Sequence, residues 1–153
     1  MGVVIGREGS HIPEDLAMDY VGGYTLALDM TARDLQDDIK KKGHPWLLAK
    51  CWDTFCPISE LIPMTAIPDP QNVNLWLKVD GIMKQKGNTG DMIFDVKHII
   101  SYVSKIMTLQ VGDLILTGTP SGVGPVEAGQ LIECGIGITN TIRSMKFEVS
   151  NVY

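Results

Sequence analysis

The stretch from Gly22 to Lys50 constrains the chain more than any other, because its hydrophobic pattern changes character within a few residues. Gly-Gly-Tyr-Thr-Leu-Ala-Leu (22–28) is a continuous apolar run with β-branched and aromatic members, which predicts a buried strand over 22–29. Met-Thr-Ala-Arg-Asp-Leu-Gln follows at once and predicts a helix over 31–42. Thr31 would be its N-cap, with Asp34 completing an approximate capping box. Gly43 and Pro45 then stop the helix. Asp29 falls where the strand should end. A carboxylate there either caps the turn, a favoured role for Asp, or presents a metal ligand from a rigid base, and the local residues leave both readings open.

With 153 residues the chain is expected to form one domain, 1–153, large enough to bury about 70% of its unfolded surface. A net charge of −5 offers no basic face for phosphates, which argues against a nucleic-acid partner. The single basic run, Lys40-Lys41-Lys42, follows Asp37 and Asp38 and reads as a solvated helix end. Cys51, Cys56 and Cys134 show no CxxC spacing, so a disulfide framework is not expected and a reducing compartment is. His11, His44 and His98 lie at no ligand-like spacing to them, which argues against zinc. Cys134 reads as a small strand hydrophobe. No apolar stretch approaches the roughly 18 residues of a membrane span, so no membrane partner is expected. Met-Gly-Val-Val-Ile-Gly is too short for a signal peptide and reads as the end of a strand, with the expectation that further chain precedes it.

Along the chain, 2–5 reads as a strand, and Pro13-Glu14-Asp15 as a first helical turn whose buried side is Leu16, Ala17 and Tyr20. Trp46-Leu47-Leu48-Ala49-Lys50 reads as an apolar strand ending in a surface lysine. Four prolines between 57 and 70 predict a loop, with at most a helical turn near 59–61. Asp80-Gly81 between 74–79 and 82–86 is a hairpin signal, and 88–91 is a turn. Over 94–107, Val96, Ile99, Ile100, Val103 and Met107 recur at helical spacing, which predicts an amphipathic helix packed on a sheet. A buried strand at 114–117 leads into Gly-Thr-Pro-Ser-Gly-Val-Gly-Pro (118–125), where glycines allow close backbone approach to a ligand or simply make a turn. Its spacing matches neither a phosphate loop nor a dinucleotide fingerprint. Strands are expected at 130–136 and 138–149.

Several motifs occur together and in order: Asp-Tyr-Val-Gly-Gly-Tyr (19–24), Leu-Asp-Met-Thr-Ala-Arg-Asp-Leu-Gln (28–36), Leu-Ala-Lys (48–50), Ile-Ile-Ser-Tyr-Val-Ser (99–104) and Leu-Thr-Gly-Thr-Pro-Ser-Gly-Val-Gly-Pro (116–125). Over nearly its whole length the chain thereby resembles the fumarylacetoacetate hydrolase family. The resemblance implies a mixed α+β, β-rich fold of that family's C-terminal type and a homodimer. It implies small α-keto acid substrates, namely acylpyruvates and oxaloacetate, hydrolysed or decarboxylated through a pyruvate enolate. It also implies Mg²⁺ or Mn²⁺ held by a Glu-x-Glu motif and an Asp that matches Asp29, hard oxygen ligands suited to such cations. Lys50 matches the lysine that brings positive charge to the substrate. Thr119, beside Gly118, matches the hydroxyl that binds the substrate carboxylate, and Arg33 and Gln36 match site residues placed on one helix face by their spacing. Family members of this type are mitochondrial or cytosolic.

The departures shape the expectation. The Glu-x-Glu motif belongs immediately before Gly2, where this chain begins with Met1, and the family's His-Glu pair lies further upstream. Cys51-Trp52-Asp53 stands where Ser-Phe-Asp is usual. The expectation is a chain with weak metal binding and little activity alone. The alternatives are a non-catalytic shortened form that pairs with a full-length subunit, or a related keto-acid isomerase or hydratase.

Overall fold

The computed structural model describes residues 1–150, which form two compact units. The larger unit is built from Met1–Leu26 and the chain from Ser59 onward, the smaller from Ala27–Ile58. The strands, all in the larger unit, are β1 (Gly2–Ile5), β2 (Val21–Thr25), β3 (Asn74–Val79), β4 (Ile82–Asn88), β5 (Leu114–Leu116), β6 (Leu131–Gly137) and β7 (Thr141–Glu148). Helices α1 (Arg33–Lys41) and α2 (Leu47–Lys50) belong to the smaller unit and α3 (Val96–Ile106) to the larger. Among the described residues no helix is long and apolar enough to cross a membrane.

In the larger unit, β1 is the centre of a sheet ordered β2-β1-β5, with Val3 opposite both Tyr24 and Ile115. A second antiparallel sheet is ordered β4-β3-β6-β7. Its first hairpin follows from Asp80 and Gly81, whose φ values of 50° and 77° suit a two-residue turn with the twist of its flanking strands. The Asp80 carboxylate then accepts from the Leu131 amide at 2.8 Å, which anchors the start of β6 beside the turn. Val3, Ile5, Tyr24, Ile62, Ile100, Ile132 and Ile136 are fully buried and form the core.

The amphipathic helix forms as predicted from its apolar spacing, and Asp95 caps it by accepting from the His98 amide at 2.7 Å. Val96 and Ile100 are buried, but Met107 lies past the end and is exposed. The helix packs against the 3₁₀ helix Glu14–Tyr20, where a sheet was expected. Ser104 makes that junction specific. Its hydroxyl accepts from the Ile12 amide at 2.9 Å and donates to the Ser101 carbonyl at 2.8 Å. In the tighter 3₁₀ turn, Ala17 is buried while Leu16, expected inside, is exposed.

In the smaller unit, Ala27 bridges Ile58, and the amides of Leu28 and Met30 donate to the carbonyls of Pro57 and Phe55. The Ala32 amide donates to the Ala49 carbonyl at 3.0 Å and joins the start of α1 to α2.

Several sequence expectations are corrected. Strand β2 stops at Thr25 and does not reach 29, because the next amide, Leu26, donates to the Ser59 side chain at 3.0 Å. Helix α1 begins at Arg33 with Ala32 as N-cap, since the Thr31 hydroxyl donates back to the Asp29 carbonyl. Residues 47–50 form a helical turn, not a strand, closed by the Cys51 amide on Leu47 and the Trp52 indole on Leu48. The helical turn sought at 59–61 lies at Met64–Ala66, because Ile62 is held extended by reciprocal bonds with Tyr24. Strand β5, expected to be buried, is a partly exposed sheet edge.

The Ser104 bonds generate a stability prediction. Ser104→Ala leaves the buried Ile12 amide without its acceptor and is expected to cost about 1–3 kcal/mol, read as a lower urea midpoint at unchanged slope.

Candidate functional site

Asp29 is not part of a strand, yet its backbone is fixed, because the amides on either side of it are both hydrogen-bonded within the smaller unit, to Pro57 and Phe55. Lys50, the last residue of α2, reaches it. The Lys50 Nζ donates to Asp29 Oδ2 at 2.5 Å and to Thr31 Oγ1 at 2.7 Å, while the Thr31 hydroxyl donates to the Asp29 carbonyl at 3.2 Å. Three residues therefore close a polar triangle, one edge of it through the Asp29 backbone carbonyl. The Lys50 and Asp29 side chains are 27% and 55% exposed, so water screens the pair and it contributes only about 0–1 kcal/mol to stability. Its consequence is placement: an ammonium held in one position at the surface, with one of its three protons uncommitted.

Arg33 and Gln36 stand one turn apart on α1, and the guanidinium donates to Gln36 Oε1 at 2.8 Å. Gln36 is buried in this arrangement, which holds its amide in one orientation. The charge of Asp29 is felt within the same unit. Burial raises the Cys56 thiol pKa, and the Asp29 carboxylate raises it further.

In the larger unit, Gly118 and Thr119 lie on the loop that follows β5. The loop is seated on β4. The Gln85 side-chain nitrogen donates to Thr119 Oγ1 and to the Pro120 carbonyl, both at 2.8 Å. Gly122, at φ 98°, lies so close to the Lys84 backbone that an added Cβ would meet its carbonyl oxygen at 2.0 Å. The loop borders a cleft of about 500 Å³ within this unit, lined by Gly118, Thr119, Ser121, Lys86, Met92 and Phe94 among others.

Mg²⁺ or Mn²⁺ needs about six oxygen ligands, several of them carboxylate or water. Among the described residues no three His, Cys, Asp or Glu side chains converge. Asp29 is one hard donor, already paired with an ammonium, so the residues present do not make up an ion site by themselves.

The structure brings Asp29 to Lys50 and Arg33 to Gln36, and places Gly118 and Thr119 on the β5 loop of the larger unit. Two residues with polar contacts here were not named as site residues from sequence. Thr31 reads as a helix cap, and only its position two residues after Asp29 hints otherwise. Gln85 reads as one polar residue of an exposed return strand, and its bond spans 34 residues of sequence.

Comparison with known proteins gives this arrangement a context. The model of the fumarylacetoacetate (FAA) hydrolase C-terminal family matches residues 1–149. The chain is 60% identical to the oxaloacetate decarboxylase, mitochondrial, of Dictyostelium discoideum over 97% of its length and 67% of that protein's. It is 56% identical to the oxaloacetate tautomerase FAHD1, mitochondrial, of Homo sapiens, covering 97% of this chain and 66% of that one. The chain thus spans about two thirds of the length of these curated relatives. Among solved structures, fumarylpyruvate hydrolase from Pseudomonas aeruginosa in complex with Mn²⁺ and pyruvate superposes with a TM-score of 0.90 at 36% identity, over 97% of this chain and 63% of that one. The mixed α+β, β-rich fold is therefore of the FAA hydrolase C-terminal type.

The thiols offer a probe of the Asp29 charge. Cys56 is expected to alkylate more slowly at about pH 8 than an unperturbed thiol, because a raised pKa leaves less thiolate. Asp29→Asn should speed it. Burial pushes Cys134 up to about 11, a backbone hydrogen bond with Met145 opposing this in part, so it should stay unlabelled under the same conditions; mass spectrometry of iodoacetamide adducts reads all three sites.

Proposed function

Because the chain belongs to the fumarylacetoacetate hydrolase C-terminal family, we propose that it supplies the keto-acid-binding machinery of an enzyme acting on acylpyruvates and oxaloacetate. The observation that carries this reading is the Lys50 ammonium, held by Asp29 and Thr31 with one donor left over. Decarboxylation of oxaloacetate breaks the C3–C4 bond and leaves its electron pair as a pyruvate enolate. Hydrolysis of an acylpyruvate adds water to the distal carbonyl, and the C–C bond then breaks to the same enolate. Both concentrate negative charge on the C2 oxygen, beside a carboxylate. A fixed cation lowers the energy of such charge more than a mobile one, because no reorganisation is needed when the charge develops.

In this reading Lys50 binds the substrate and balances its charge, while Arg33 and Gln36 complete the catalytic set on α1. Thr119 and Gly118 hold the substrate carboxylate. Asp29 would be one ligand of Mg²⁺ or Mn²⁺, and among the described residues no three His, Cys, Asp or Glu side chains converge to complete the set. A relative solved with Mn²⁺ and pyruvate supports a divalent ion in the family. The protein would work as a homodimer, in mitochondria as the relatives' names suggest or in the cytosol.

A second reading is favoured by the name oxaloacetate tautomerase among the relatives. Tautomerisation moves a proton between C3 and the C2 oxygen and needs the same enolate stabilisation without bond cleavage. A third, a non-catalytic partner that modulates another subunit, is supported by the lack, among the described residues, of three converging His, Cys, Asp or Glu side chains.

Calorimetry with oxalate, a mimic of the pyruvate enolate, tests the common core. Oxalate binding is expected to weaken about tenfold or more in Lys50→Met, and binding unaltered by that change would overturn the assignment of Lys50. Mg²⁺ alone should bind at about millimolar strength or weaker. With oxaloacetate as substrate, decay of the enol absorbance without release of CO₂ selects the tautomerase, and release of CO₂ selects the decarboxylase. Neither signal, in a sample that binds oxalate, selects the modulating partner.

A further inference from the structure

Resting on the reading of Thr119 as a substrate-carboxylate donor, we infer that Gln85 is a positioning residue that sets the direction of the Thr119 hydroxyl proton. Pro120 contributes a carbonyl oxygen, which can only accept. The Gln85 atom shared between Pro120 and Thr119 must therefore be the amide nitrogen, and both its protons are spent, one on each oxygen at 2.8 Å. Thr119 Oγ1 is thus an acceptor in this contact. Its own proton has no acceptor among the described residues, and Thr119 is exposed. A hydroxyl normally rotates to suit its surroundings, but one that must accept from a fixed donor has its proton turned away from that donor. Here the proton is left to a ligand oxygen.

Two further observations make Gln85 a rigid reference. It lies within β4, opposite Leu77 of β3 and beside the register shift that leaves Lys84 unpaired, so its backbone is held by that pairing. On either side of it the loop touches β4 at van der Waals limits: Pro120 over Gly87, where an added Cβ would meet the ring at 2.9 Å, and Gly122 over Lys84. The loop cannot approach or recede without breaking these contacts. Gln85 therefore acts through Thr119 and need not touch substrate itself.

The test is a double-mutant cycle with oxalate binding as the readout and the whole chain as the sample. Gln85→Met keeps the volume and removes the donor. Gln85→Glu keeps the shape and reverses the polarity, so that the Thr119 proton is captured by the new carboxylate. Thr119→Val removes the hydroxyl. Thr119→Val is expected to weaken oxalate about tenfold, Gln85→Met by somewhat less and Gln85→Glu by at least as much. In the Thr119→Val background either Gln85 change should then matter by less than about twofold.

If Thr119→Val weakens binding while Gln85→Met does not, the inference about Gln85 falls and the reading of Thr119 stands. If the Gln85→Glu penalty persists undiminished in the Thr119→Val background, it is plain charge repulsion and the inference falls. If Thr119→Val leaves oxalate affinity unchanged, the reading of Thr119 fails and takes the inference with it. The contact is also read without any ligand: Thr119→Val must move the Gln85 side-chain amide resonances, and unmoved resonances overturn the inference whatever the affinities show.

Discussion

Ser59 closes the excursion of the chain that forms the smaller unit, and the fixed backbone of that unit's first residues depends on it. Its hydroxyl receives the Leu26 amide at 3.0 Å and lies 3.1 Å from the Thr25 hydroxyl, which donates to the Ser59 carbonyl at 2.9 Å. These residues are 33 and 34 positions apart in sequence, with α1 and α2 between them. Closing such a loop costs entropy that grows only slowly with its length, so a few well-satisfied bonds suffice. Once the ends are held, Ala27 and Ile58 pair, the next amides follow, and Asp29 is delivered to a fixed position without being in a strand.

That mechanism explains what was legible in the sequence. The β3–β4 hairpin carries its own punctuation in Asp80 and Gly81, and α3 carries a cap and an apolar stripe, so both could be read from a few neighbouring residues. The segment 26–32 has no such local instruction. Its apolar run reads as more strand, while its real geometry is set by Ser59, Pro57 and Phe55, far along the chain. The same holds for 46–50, whose leucines suggest a strand although Leu47 and Leu48 are exposed on one helical turn. Candidate site residues such as Asp29 and Lys50 were named from a set of motifs taken together. Thr31, bonded to Lys50, and Gln85, bonded to Thr119, were not named as site residues, because a hydrogen bond between distant residues leaves no periodic trace.

Electrostatics separates the purpose of these contacts from their stability. An exposed ion pair such as Lys50–Asp29 offers little to folding, since each partner is nearly as well solvated apart. The chain nevertheless spends a carboxylate, an ammonium and a hydroxyl on one surface triangle. Ser104 is the contrast. It is buried, both its hydrogen-bonding roles are filled by backbone, and nothing is left for a ligand.

Lys50 and Thr119, each within its own unit, follow the opposite rule. Lys50 has three protons and commits two of them; Thr119 commits a lone pair and keeps its proton. Each neighbour restrains the group without using up its capacity to donate. What remains in both cases is a donor, held in direction before any ligand arrives. Under the proposed function each would meet an ionised keto acid, whose carboxylate and carbonyl oxygens accept hydrogen bonds and which has no donor to offer. Groups restrained in this way lose little freedom on binding, so the interaction with a small anion is not cancelled by the cost of ordering the protein. A ligand of a few heavy atoms has little surface to bury, so a donor whose direction is already restrained counts for more in holding it than contact area does.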